Sequence, residues 1–172
     1  VFDENSFTID DGKFEFPQLT FSTNYEVKPY KNDDTGNGVT TLDLIILQRH
    51  LLLQQIITDP YVLLAADITN DGEVTTLDLL WIQQLLLGRI ETFPANTSWR
   101  FVPSEFPLTD IAAEIPDSYR YFNLLVCQFA QDFIGIKIGD LNGSASSDGI
   151  MAQAEDHTNG TGLLEAPDDD LR

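Results

Sequence analysis

Five oxygen-bearing side chains, Asp67, Thr69, Asp71, Thr75 and Asp78, fall at positions one, three, five, nine and twelve of the segment D-I-T-N-D-G-E-V-T-T-L-D. That is the spacing at which a twelve-residue loop wraps a hard cation. Gly72 occupies position six, where the chain must turn sharply and a Cβ would obstruct it. Glu73 at seven would lend its backbone carbonyl, and Val74 at eight would point inward towards a partner loop. A loop offering this many protein oxygens suits calcium better than magnesium, which prefers to keep its waters.

The partner loop lies thirty-five residues upstream. V-T-T-L-D-L occurs twice, and Val39–Leu52 is identical to Val74–Leu87 at nine of fourteen positions, so the chain contains a duplicated loop-plus-helix unit. Aligned by the repeat, the first loop offers Asn32, Asp34, Gly36, Asn37, Gly38, Thr40 and Asp43 at positions one, three, five, six, seven, nine and twelve. It lacks a carboxylate at five, which makes it the poorer of two expected calcium sites. Gly139-Asp140-Leu141-Asn142-Gly143 looks like the opening of a third loop. With no helix and no acid at the twelfth position behind it, the expected role there is a turn closing the β region.

Aspartate rather than glutamate at twelve, a Thr-Thr pair before it and one long helix after it resemble the type I dockerin, in which two calcium loops each lead into a single helix. More narrowly, G-V-T-T-L-D-L, P-Y-V-L-L-A-A-D-I-T-N-D-G, N-T-S-W-R-F-V-P and D-F-I-G-I-K-I-G-D-L-N-G are similar to dockerin-repeat modules in large secreted or surface proteins of Bacteroidetes-type bacteria. The resemblance covers roughly residues 25–145. It implies calcium as cofactor and a protein partner, either a cohesin-like domain or copies of the chain itself. In dockerins the partner is read at loop positions ten and eleven, which fall on Thr41 and Leu42, and on Thr76 and Leu77; a threonine-leucine pair departs from the Ser-Thr type often seen, and both leucines also suit a core.

The elements that must hold these loops follow from periodicity. Leu42, Ile45, Ile46, Leu52, Leu53 and Ile56 recur at helical steps after the first loop, and Leu77, Leu80, Trp81 and Leu87 after the second, ending at Gly88. Asp59-Pro60 stops the first helix, and 61–66 reads as a short helical turn. Strand-like stretches precede them at 7–9, 13–16 and 24–30, with Asp11-Gly12 as a hairpin turn, and follow them at 98–102, 119–126 and 132–138. The expected fold class is α+β. An antiparallel immunoglobulin-like β-domain, its N-terminal strands similar to a CnaB or carboxypeptidase-regulatory-like domain, would carry the dockerin-like repeat pair. The divisions would be β-strands at 1–30, the calcium repeats at 31–90, strands completing the same sheet at 91–145, and an acidic tail at 146–172.

With 28 acidic against 9 basic residues and a net charge of −19, the chain repels nucleic acid and anionic membrane and attracts divalent cations. One cysteine, Cys127, excludes an internal disulfide and reads as a small apolar strand residue. No apolar run is long enough to span a bilayer, and no signal peptide is visible, so a mature chain or a fragment is expected. His50 and His157 are isolated, and no nucleophile constellation surrounds them, so no catalytic activity is expected. The function these features imply is an extracellular or cell-surface calcium-binding structural and interaction module. The alternative is a subunit of an extracellular fibre assembled by strand exchange, because too few strands precede the loops to close a sheet alone.

Overall fold

The two main helices begin alike because the repeat gives both the same cap. In the computed structural model, which describes residues 6–7, 12–16, 19–129, 131–146 and 153–155, helix α1 (Thr41–Leu51) is capped by Thr40 and α3 (Thr76–Leu86) by Thr75. Each threonine hydroxyl accepts from the amide two residues on, while the aspartate at the third helical position, Asp43 or Asp78, accepts from the cap's own amide. A shorter helix, α2 (Pro60–Ala66), lies between them, with Asp59 as cap and Pro60 opening its first turn.

The helices also end alike, although the residues there differ. After α3, Gly88 takes φ +63° and Arg89 donates to the Gln84 carbonyl; after α1, Leu53 takes φ +57° and Gln54 donates to the Arg49 carbonyl. Both are left-handed closures that return the chain. This is why the apolar periodicity running to Ile56 does not continue the helix, which stops at Leu51. Leu53 is 79 % exposed, so its side chain earns little from burial while its backbone sits where a Cβ is unfavourable. Leu53→Gly should therefore stabilise the protein by about 0.5–1 kcal/mol, read as a raised thermal midpoint; a lowered midpoint would refute this.

The buried face of each helix is set by the loop carboxylate. Asp43 and Asp78 are wholly buried at the helix starts, and residues four apart share a face, so Leu47 and Ile82 point the same way and are also wholly buried. Other apolar residues of the same periodic series, Leu42, Ile45 and Leu52, and Leu77, Leu80 and Leu87, are exposed. Leu47 and Ile82 join Leu64, Ala66 and Ile68 from α2 and the second loop, Val102 and Ile136 from the following strands, and Ile138 and Leu141 from the segment after them, in one core.

The strands form two small antiparallel sheets. Strands β3 (Trp99–Pro103) and β5 (Phe133–Lys137) pair along their whole length and lie against the helices. The other sheet has the order β1 (Ser6–Phe7), β6 (Gln153–Glu155), β2 (Tyr25–Tyr30), β4 (Tyr119–Tyr121). The strands expected to build one immunoglobulin-like domain are thus divided: among the described residues β4 and β6 join the N-terminal strands, and β3 and β5 make a sheet of their own. Residues 13–16 are not a strand, although Phe16 is buried with Val27 in a second apolar cluster beside Phe14, Tyr119 and Phe133. The 119–126 stretch is cut to three residues, and Phe122, Leu125 and Val126 are exposed. Asp11 and most of 146–172 lie outside the described residues.

Candidate metal centre

In the second loop Asp67 and Asp78 are tied together through Thr69, while the Asp71 side chain is held by the Glu73 amide. Asp67, 1 % exposed, accepts from the Asp71 amide at 3.1 Å through Oδ1 and from the Gly72 amide at 3.0 Å through Oδ2. Asp78 accepts the Thr75 amide (2.7 Å) and hydroxyl (3.1 Å) on Oδ2, and the Thr69 amide (2.9 Å) and hydroxyl (3.0 Å) on Oδ1. The Thr69 hydroxyl also lies 3.4 Å from Asp67 Oδ1, so it bridges the first and last carboxylates of the loop. Asp71 Oδ1 accepts from the Glu73 amide at 3.0 Å. Two outside residues brace the loop: Asn96 donates to the Asp67 carbonyl at 3.0 Å and Arg100 to Asn70 Oδ1 at 2.7 Å.

Asp67 and Asp78 are buried and enter no ion pair among the described residues, and Arg100 acts on Asp67 only from beyond contact. Burial pushes the Asp67 carboxyl above its usual range, and the neighbouring Asp78 and Asp71 charges push it further, against the two amide hydrogen bonds. Buried carboxylates with no cationic side chain are costly unless an ion joins them. The donors are all oxygens, from carboxylate, hydroxyl and main chain, which fits calcium. Gly72 has φ +82°, and a Cβ there would come within 2.9 Å of the Ala112 backbone.

The first loop is built differently. Asn32 does not face Asp43: its Oδ1 accepts from the Ser98 amide at 2.9 Å. Asp33 pairs with Lys31 at 3.0 Å, and buried Lys137 donates to the Thr35 carbonyl at 2.8 Å, its amine pushed down to about 8 chiefly by burial. Asp34 takes φ +46° at the start of a tight turn in which Asn37 donates to its carbonyl. Thr40 and Asp43 do reproduce the closing half of the second loop, with the Thr40 amide at 2.8 Å and its hydroxyl at 2.7 Å from Asp43 Oδ2. The other oxygen of Asp43 is met by the Leu141 amide and Asn142 Nδ2, both at 2.8 Å. These last residues belong to the D-L-N-G segment that sequence reasoning set aside as a closing turn.

Thr41, Leu42, Thr76 and Leu77 are all exposed on the first turns of α1 and α3. His50 Nδ1 accepts from the Ile57 amide at 3.0 Å, and Cys127 is partly exposed outside any strand. No helix among the described residues is long and apolar enough to cross a membrane.

Residues 32–87 match the dockerin type I domain. That stretch, less than half of the chain, spans both repeats and all three helices and is a dockerin-like module. No curated protein and no solved structure matches the chain.

Proposed function

We propose that the chain is a non-catalytic, calcium-dependent protein-interaction module of a secreted or surface protein. Asp67, Thr69, Asp71, Thr75 and Asp78, with the Glu73 carbonyl, hold calcium in the second loop. Dockerin type I domains bind calcium and recognise protein partners, and such modules typically occur in extracellular proteins, which supports this reading for residues 32–87.

The observation that carries the interaction is a pair of equivalent apolar stripes. Leu42 and Ile45 on α1 with Leu52 just past its end, and Leu77 and Leu80 on α3 with Leu87 just past its end, are each at least 42 % exposed. The two sets occupy identical places in the repeat, beginning at loop position eleven. Apolar side chains left in water at repeated positions suit a partner that excludes that water. The closing halves of the loops orient these faces, so an ion that fixes Asp43 and Asp78 also fixes the stripes.

Sedimentation of the full chain, alone and mixed with a type I cohesin domain, with calcium and with chelator, tests this. Calcium-dependent association with the cohesin, or with further copies of the chain, is expected, and Leu77→Asp together with Leu42→Asp should weaken it by more than tenfold without lowering calcium affinity. A chain that binds calcium yet associates with neither would overturn the interaction.

A further inference from the structure

From these geometries we infer that the first calcium site is split: its opening half comes from Asp140, Asn142 and Ser144, and its closing half from Gly38, Thr40 and Asp43. The inference rests on the reading of residues 32–87 as a calcium-binding pair of repeats. The second loop provides the template. There the position-one carboxylate accepts from the amides of positions five and six, Asp71 and Gly72, one on each oxygen.

Asp140 does the same with the residues four and five further on, accepting from Ser144 at 3.1 Å on Oδ1 and from Ala145 at 2.7 Å on Oδ2, with the Asn142 amide at 3.3 Å on Oδ1. The fourth position is left-handed in both, with φ +56° at Asn70 and +71° at Gly143. The second position is buried in the core in both, as Ile68 and Leu141. At the third position, Thr69 and Asn142 each place a side-chain donor on Oδ1 of the closing aspartate. Half a turn of the Asn142 amide would present its oxygen to an ion instead.

The closing half supplies the remaining donors. The Gly38 carbonyl, at the place of Glu73 in the second loop, accepts from the Ser144 hydroxyl at 3.0 Å, which brings positions five and seven together. Asn37 holds Ser146 by two hydrogen bonds, from Nδ2 to its carbonyl at 2.7 Å and from its amide to Oδ1 at 3.1 Å. Strand β5 delivers the segment: after Ile138 the chain turns at Gly139, φ +87°, whose amide donates to the Ala65 carbonyl. Asp43 and Asp140 are both buried and neither forms an ion pair among the described residues; the Lys137 amine donates to the Thr35 and Ile138 carbonyls. The contiguous candidates Asn32 and Asp34 show no hydrogen bond linking them to Asp43. The opening half that the first loop does not supply to Asp43 comes instead from residues about a hundred positions downstream.

Calcium binding by the full chain, followed by calorimetry and by counting bound ions in native mass spectrometry, tests the assignment. Asp140→Asn should weaken one ion by more than about tenfold and spare the other, whereas Asn32→Ala and Asp34→Ala should leave both. Undiminished binding in Asp140→Asn, or loss of an ion in Asp34→Ala, would overturn it. Should Asp140→Asn fail to fold, hydrogen exchange on the unaltered chain decides: calcium must slow the Leu141, Ser144 and Ala145 amides, and unchanged exchange there rejects the split site. If the chain binds only one ion, lost in Asp67→Asn, the split site falls and the calcium reading of the second loop stands; if it binds none, both fall.

Discussion

Stripping calcium with a chelator should lower the thermal midpoint of this chain by about 10–20 °C. An ion that binds only the folded form, present at a hundred times its dissociation constant, contributes about 2.7 kcal/mol. Two such ions contribute about 5 kcal/mol, and in a chain of this size each kcal/mol moves the midpoint by about 2–4 °C. The structure gives a reason for the loss to be at the upper end. Asp43, Asp67, Asp78 and Asp140 are all buried without an ion pair among the described residues, and the Asp78 and Asp71 charges oppose that of Asp67. Asp78→Ala should reproduce about half of the loss, because it removes one site and also the carboxylate that caps the start of α3. Magnesium should restore little of it. Calorimetric scans in calcium, chelator and magnesium measure all three; equal midpoints in calcium and chelator would contradict the whole assignment.

What the sequence disclosed and what it concealed divide along contact distance. The contacts of the second loop are legible because the residues that meet there lie within twelve positions, and the duplicated V-T-T-L-D-L announces two helix starts whose caps form as the threonine and aspartate types require. Periodicity alone does not settle which helix face turns inward: Leu42, Ile45, Leu77 and Leu80 have a helical period and are exposed. Phase is fixed by Asp43 and Asp78, which turn inward and carry Leu47 and Ile82 with them. The end of α1 was misread because nothing in a leucine signals a left-handed residue, although Gly88 at the matching place in the repeat does. Strand partners were hidden for a further reason: β2 meets β4 across some ninety residues that include the whole module, and pairing at that range leaves no periodic mark. The D-L-N-G-S segment carried the one-three-five spacing in plain view. What it meets, Asp43 about a hundred residues upstream, leaves no mark in that spacing.

That junction yields the second large effect. Gly38→Ala should cost about 2–4 kcal/mol and release residues 140–146, because a side chain at this point has nowhere to go. Gly38 takes φ +74°, which any residue with a Cβ adopts at a cost of about 1–2 kcal/mol. The added carbon would stand 2.6 Å from the Cα, Cβ and nitrogen of Ala145, and most of those atoms are main chain, so no rotamer change relieves the overlap. Relief requires the 140–146 segment to withdraw, which breaks the Ser144 contact to the Gly38 carbonyl and draws Asp140 away from Asp43. Calcium affinity at the first site should therefore fall together with stability. Gly36→Ala, two residues away, is the control: its φ is ordinary and no atom lies within 4 Å of the new carbon, so it should change stability by less than about 0.5 kcal/mol. A contiguous first loop makes the opposite forecast, since it would put Gly36 at the fifth ligand position and leave Ala145 irrelevant. Chemical denaturation of the two variants, each with and without calcium, separates these: a mild Gly38→Ala, or a calcium defect confined to Gly36→Ala, would show that residues 140–146 merely lie alongside the module.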